Sequence, residues 1–389
     1  MIDLLCLILI LPLAIVTMVF VVEARLGMMP ARRPEGATLD ALAEGVVLIP
    51  AHDEARGIGA MLAGLFATLP PAMRVLVVAD NCTDTTAAVA RAAGAEVVER
   101  HDTSRRGKGF ALDFGRAHLA ADAPPCVIVV DADTVPAPGA LARLATRAIA
   151  SGRPVQAAYT MTVDDSVSST ARFSAAAFYV KNAVRQLGGS RIGAPALLTG
   201  SGMAFPWAVF LRLPLDTGHV AEDLMLGVSS SLDGTPPLFD PHAIVTSATS
   251  SDRGTEVQRR RWESGFFQVA GDHAGAVIGQ GLRRGRPALA WLGLHLLTPP
   301  FLPLLALDML AILLLSLLAL FGIGRGALAT VAIPTALALV ATLGSLLLHG
   351  RGDLLKGWQT IPRYILWKLG VTAAALFRRE RSWIRTDRD

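Results

Sequence analysis

The sequence predicts an α/β domain with a mostly parallel sheet, attached to transmembrane and interfacial helices. Three observations carry this. From about Gly45, short β-branched runs alternate with Ala-rich helical stretches, the pattern of βαβ units. The runs stop on carboxylates, as in PAHDE, ADNCTD and DAD, which is where ligands bind in open sheets of this kind. Finally, a mean hydropathy of +0.47 over 389 residues is far above that of a soluble enzyme, so part of the chain faces lipid.

The first element is the run Leu4 to Val22, with no charge and enough length for one span at about 1.5 Å per residue. It begins Met-Ile-Asp, and Arg25, Arg32 and Arg33 follow it, the reverse of a cleaved signal peptide. It reads as a retained anchor over residues 1–24 whose N-terminus lies outside, with the chain from Glu23 onward in the cytosol.

The globular section, residues 40–286, starts with strand VVLIP, then helix IGAMLAGLFATL, strand RVLVVAD, helix TAAVARAAG and strand EVVER. VIVVDAD is a fourth strand and PGALARLATRAIA the helix after it. Side chains alternate along a strand, so Asp131 and Asp133 should share one side with Ala132 turned away. Two carboxylates that close repel, and the pair asks for a cation or open water.

A second apolar block, residues 287–349, is interrupted by Pro299, Pro300 and Pro303. It divides into an interfacial helix over Ala288 to Leu297 and spans over Phe301 to Phe321 and Ala327 to Leu348, with Asp308 inside the first span. In residues 350–389, Ile361 to Phe377 carries Arg363 and Lys368 beside Tyr364 and Trp367, which favours a helix in the headgroup plane. A basic tail ending in Trp383 to Arg388 suits the same surface.

Several classes are excluded. The formal charge of +4 comes from Arg clusters near apolar segments, without the basic, aromatic-interleaved stripe of a nucleic-acid binder. Gly57 and Gly59 are followed by Leu62 where a dinucleotide fold needs its third glycine, and GxxxxGK[ST] is absent. Cys6, Cys82 and Cys126 have neither pairing nor metal-ligand spacing, as a reducing compartment allows. Negative charge where a pyrophosphate cradle would sit points to a diphosphate held through a divalent metal.

PAHDE, ADNCTDTT, RGKG, DAD, LTGSGMAF, AED and QRRRW occur in that order between Val46 and Gly265. Together they resemble the family 2 glycosyltransferases of GT-A fold, in particular the membrane-bound subset with a QxxRW motif. The resemblance implies that Pro50, His52 and Glu54 lie against the nucleoside and that Asp80 accepts from a uracil ring, although Ala79 stands where the family commonly has another Asp. It implies that Lys108 meets the nucleotide part of the donor. Asp131 and Asp133 match the DxD pair that holds Mg2+ or Mn2+, with Asp133 nearer the metal and Asp131 on the sugar or ribose. Asp223 matches the general base, with Glu222 serving only the helix N-terminus. Gln258, Arg261 and Trp262 match QxxRW, whose i, i+3, i+4 spacing puts them on one helix face toward acceptor and diphosphate; Arg259 and Arg260 read as lipid-headgroup contacts.

The function expected is a membrane-bound, metal-dependent, inverting glycosyltransferase that moves a sugar from a nucleotide-sugar donor, UDP first, to a lipid, lipid-linked or short glycan acceptor at the cytosolic face of the inner or plasma membrane. A processive polysaccharide synthase is the alternative within the family; about three spans are few for one. A catalytically inactive nucleotide-binding membrane scaffold is the alternative outside it, and it would have lost one of these motifs.

Overall fold

The computed structural model describes residues 2–32, 43–249 and 252–377. Arg33, the terminal basic run and Trp383 to Arg388 lie outside the described residues.

The chain opens with α1 (Ile2–Gly27), then β1 (Gly45–Ala51), α2 (Ile58–Phe66), β2 (Met73–Asp80), α3 (Thr86–Ala92), β3 (Glu96–Arg100), α4 (Lys108–Leu119) and β4 (Cys126–Val129). It continues through β5 (Thr134–Pro136), α5 (Ala140–Ser151), β6 (Val155–Thr162) and α6 (Ser169–Tyr179), which runs into a π-helical turn (Val180–Arg185) and α7 (Gln186–Arg191). Next come β7 (Met203–Pro206), α8 (Trp207–Phe210), α9 (Glu222–Leu232), β8 (Leu238–Ala248) and the long α10 (Asp252–Arg283). Four apolar helices close the described chain: α11 (Pro287–Leu297), α12 (Phe301–Ala319), α13 (Arg325–Leu348) and α14 (Ile361–Phe377).

The eight strands of the described residues form one sheet in the order β3-β2-β1-β4-β7-β6-β8-β5. Its first half is parallel as expected, with β2 beside β1 and β3, and β1 beside β4. The second half is mixed: β7 runs antiparallel to β4 and β6, β6 parallel to β8, and β5 antiparallel to β8. Period-two alternation explains how the sheet is buried on both faces. Val47, Ile49 and Ile128 enter one core cluster, while their neighbours Val46, Leu48, Val127 and Val129 enter the other.

The first of these clusters continues without a break into Phe20, Val21 and Ala24 of α1 and into Leu304, Ala338 and Leu346 of α12 and α13. The sheet domain and the apolar helices therefore share one core. Among the described residues, α1, α12 and α13 are long and apolar enough to cross a membrane. The buried Asp308 of α12 accepts from Thr17 Oγ1 of α1 at 3.0 Å, a polar tie between two of these helices. Where α1 meets α7, Gly188 is required, since a side chain there would lie 1.8 Å from the Glu23 carbonyl oxygen. The Glu23 carboxylate, itself buried, accepts from Arg185 Nε at 2.8 Å and from Trp291 Nε1 at 2.9 Å, and meets His295 Nδ1 at 2.7 Å.

Two sequence expectations change here. Strand pairing of β4 ends at Val129, and Asp131 to Asp133 form a turn closed by the Thr134 amide donating to the Asp131 carbonyl at 3.0 Å, so strand alternation does not set their directions. In α14, Lys368 and Tyr364 are buried rather than in a headgroup plane: Lys368 pairs with Glu263 of α10, whose Oε2 also accepts from Thr372 Oγ1 at 2.6 Å. A buried carboxylate on α10 captures the lysine because an unpaired one would be costly.

Candidate active site

The site forms at the carboxyl ends of β1, β2 and β4, where the chain has to leave the sheet. Asp53 and Asn81, just past β1 and β2, both adopt positive φ, 53° and 51°, a conformation Asp and Asn tolerate better than most residues. The two loops brace each other: Asp53 Oδ1 accepts from the Thr83 amide at 2.6 Å and the Asp84 amide at 3.2 Å, and Asp84 Oδ2 accepts from the Ala55 amide at 3.1 Å. Withdrawal from solvent works to raise the Asp53 carboxyl, and these bonds outweigh it and hold the group below its ordinary value. Asp53, Cys82 and Asp84 bring potential ligand atoms within 4.8 Å of one another, but these carboxylates are spent on bracing the loops. Much of PAHDE and NCTDTT is thereby accounted for structurally.

The resulting cleft has an accessible volume of about 260 Å³. Pro50, His52, Glu54, Asp80, Lys108, Asp131, Asp133, Asp223, Gln258, Arg261 and Trp262 all line it. At one end, Asp80 is buried and its Oδ1 accepts from Arg100 Nη1 at 2.6 Å and Asn81 Nδ2 at 3.0 Å, while His52 Nδ1 sits 2.7 Å from its carbonyl oxygen. Burial pushes the Asp80 carboxyl up, against the pull of Arg100. Arg100, the last residue of β3, went unassigned in the sequence because nothing there links it to Asp80 twenty positions away; the parallel pairing of β2 with β3 sets the two side by side in register.

At the centre, Lys108 Nζ pairs with Asp131 Oδ1 and donates to the Gly200 carbonyl at 2.6 Å. Gly200 has φ +91°, and a methyl built there would lie 3.3 Å from Asp223 Oδ2, 3.6 Å from Lys108 Nζ and 3.8 Å from Asp131 Oδ2. The glycine turn of LTGSG is thus what lets three charged groups from α4, the β4 end and α9 converge. Withdrawal from solvent opposes the Lys108 charge, and Asp131, Glu222 and Asp223 outweigh it and hold the ammonium above the ordinary lysine value. Glu222 and Asp223 open α9, and both are pushed up, first by withdrawal from solvent; Glu222 is then raised further by the charge of Asp223. Asp223 Oδ1 accepts from the Leu224 amide at 2.8 Å, leaving Oδ2 toward the cleft.

Asp131 and Asp133 supply a set of carboxylate oxygens at the cleft wall, the ligand chemistry a hard dication takes. Burial and then the charges of Asp133 and Asp131 push the neighbouring Tyr159 phenol up, so both carboxylates act on one spot. The residues fit a divalent ion.

The far wall comes from α10. Trp262 stacks on Phe178 at 5.3 Å between ring centroids. Arg259 is not a headgroup contact: it is buried, with Nε donating to Ser174 Oγ at 2.6 Å, Nη2 to the Ser174 carbonyl at 2.7 Å, and its guanidinium 4.9 Å from the Trp262 ring. Helix α6 packs on this face of α10 and gives that arginine a protein partner. The sequence also offered no signal for Lys181 and Asn182, which the π turn directs into the cleft.

The sequence model of the Glycosyltransferase like family 2 matches residues 44–265, more than half of the chain. The chain belongs to this glycosyltransferase family. Among solved structures it is similar to the mannosyltransferase PcManGT from Pyrobaculum calidifontis in complex with GDP-Man and Mn2+, at 19% identity and a TM-score of 0.58, covering 98% of this chain and 100% of that one. It is also similar to glucosyl-3-phosphoglycerate synthase from Mycobacterium tuberculosis in complex with Mn2+, UDP and glucosyl-3-phosphoglycerate, at 19% identity, a TM-score of 0.43 and coverage of 62% and 86%. No curated protein matches the chain. The architecture is the GT-A fold of this glycosyltransferase family, with three further helices among the described residues able to span a membrane.

Proposed function

We propose that this glycosyltransferase is an integral-membrane, metal-dependent, inverting enzyme that transfers a sugar from a nucleoside-diphosphate donor, a UDP-sugar first, to a lipid, lipid-linked or short glycan acceptor at the cytosolic face. The observation that carries this reading is the convergence of Asp131, Lys108 and Asp223 around Gly200, between the Asp80 end of the cleft and the Trp262 wall.

Asp80 offers its second oxygen to an N–H of the base while Arg100 and Asn81 hold the first. Asp133, with Asp131, would hold Mg2+ or Mn2+, and a dication there supplies compensation for charge on the leaving diphosphate. That PcManGT was solved with GDP-Man and Mn2+ supports the donor class and the metal. Lys108 and Arg261 add positive charge to the cleft. Asp223 takes the proton of the acceptor hydroxyl as that oxygen attacks the anomeric carbon, its raised carboxyl making it a better base than an ordinary aspartate. With Asp223 as the base and no residue assigned as a nucleophile, the reading is one displacement with inversion. Trp262 offers an aromatic face to the acceptor.

The test is a screen of nucleotide sugars against the solubilised full-length protein with Mg2+ or Mn2+, read as nucleoside diphosphate release and product size. Release from one donor and a product of single-sugar increment is expected, and Asp133→Asn should weaken Mn2+ binding at least about tenfold by titration. A high-molecular-weight polymer would instead favour a processive synthase, and release unaffected by Asp133→Asn would remove the metal assignment.

A further inference from the structure

Beside the cleft lies a second cavity, of about 70 Å³, that shares Phe178, Lys181, Trp262 and Phe266 with it. One wall carries four cations, Lys181, Arg185, Arg259 and Lys368, with the Glu263 carboxylate and His295 among them. Arg185 is matched by Glu23 and Lys368 by Glu263. Lys181 and Arg259 have no such match: among the described residues neither has a carboxylate within ion-pair distance, and the ammonium of Lys181 meets the Phe266 ring, 5.8 Å from its centroid. The other wall is apolar, with Phe20 of α1 stacked on Phe301 at 4.8 Å and Pro300 and Leu302 at the start of α12. These helices are two of the three able to span a membrane.

We propose that this cavity seats the phosphate of a lipid acceptor's headgroup, with Lys181 and Arg259 facing its negative charge and the chain leaving along Phe301 and Leu302. The proposal rests on the glycosyltransferase reading above and names its acceptor class. Two largely buried cations without an ion-pair partner, helped only at longer range by Asp223 and Glu263, gain from an anion that joins them, and a phosphate is the anion that several N–H donors serve best. The apolar wall at the α11–α12 break selects a phosphate carrying a hydrocarbon chain over a free one. Lys181 also lies near enough to Asp223 for their charges to interact, which links the headgroup seat to the general base. Burial lowers Lys181 to about 8, a group that an incoming anion would keep charged.

The test measures binding to the full-length protein in neutral detergent with four probes: dodecyl phosphate, phosphatidic acid, dodecanol and inorganic phosphate. At least one lipid phosphate should bind about tenfold or more tightly than dodecanol and than inorganic phosphate. Lys181→Met should weaken lipid-phosphate binding about tenfold, and Lys181→Arg should restore it; Arg259→Lys, the second variant, should weaken lipid-phosphate binding as well. Equal binding of dodecyl phosphate and dodecanol, or of lipid phosphate and inorganic phosphate, overturns the proposal. So does a Lys181→Met protein that loses nucleoside diphosphate in place of lipid phosphate, which would give the lysine to the donor. Failure of the broader reading looks different: no donor sugar is released under any condition, whatever lipid is bound.

Discussion

Replacing Lys181 by methionine should make the protein more stable while weakening its proposed headgroup seat. The side chain is largely withdrawn from solvent, has no carboxylate within ion-pair distance among the described residues, and is lowered from 10.5 to about 8, chiefly by burial. At about 1.4 kcal/mol per pH unit, that difference corresponds to a penalty of up to about 3 kcal/mol. Below pH 8 the lysine is protonated in both folded and unfolded chains, so the full penalty applies. Between about 8 and 10.5 the folded protein sheds a proton that the unfolded chain keeps, so stability of the wild type rises with pH and the penalty fades. Methionine keeps the length and apolar stem without the charge. Thermal unfolding of the solubilised full-length protein should shift upward by roughly 5 °C near neutral pH, with a smaller gap at about pH 9.5. A variant equally or less stable than the wild type near neutral pH would refute the reasoning, since it would mean the ammonium already has adequate compensation.

Asp223→Asn removes the proposed base and should lower sugar transfer about 10²- to 10⁴-fold with donor affinity retained, checked by steady-state kinetics beside nucleotide titration. Gly200→Ala puts a methyl 3.3 Å from Asp223 Oδ2 at a backbone φ of +91°, and should lower kcat by tenfold or more while the purified protein remains folded by circular dichroism. Arg100→Met strands the buried Asp80 carboxylate and should weaken nucleoside diphosphate binding, with a stability loss of about 3 kcal/mol; calorimetric titration showing unchanged affinity would remove Asp80 from the base site.

The sequence by itself determined the elements whose signals are local. Apolar runs long enough to span set α1, α12 and α13, and β-branched runs ending on carboxylates set β1, β2 and β4 with the loops after them. Motif order was enough to name eleven of the side chains that line the cleft. What only the tertiary structure decided were partnerships between distant positions. Arg100 meets Asp80 because two parallel strands run in register, and Arg259 turns from lipid to Ser174 because α6 covers α10. Lys368 is captured by Glu263, and Lys181 enters the cleft on a π turn. Local hydropathy cannot report these, because a buried charge is decided by which opposite charge or carbonyl lies across the contact. That neighbour is fixed by packing and is not written in the adjoining residues.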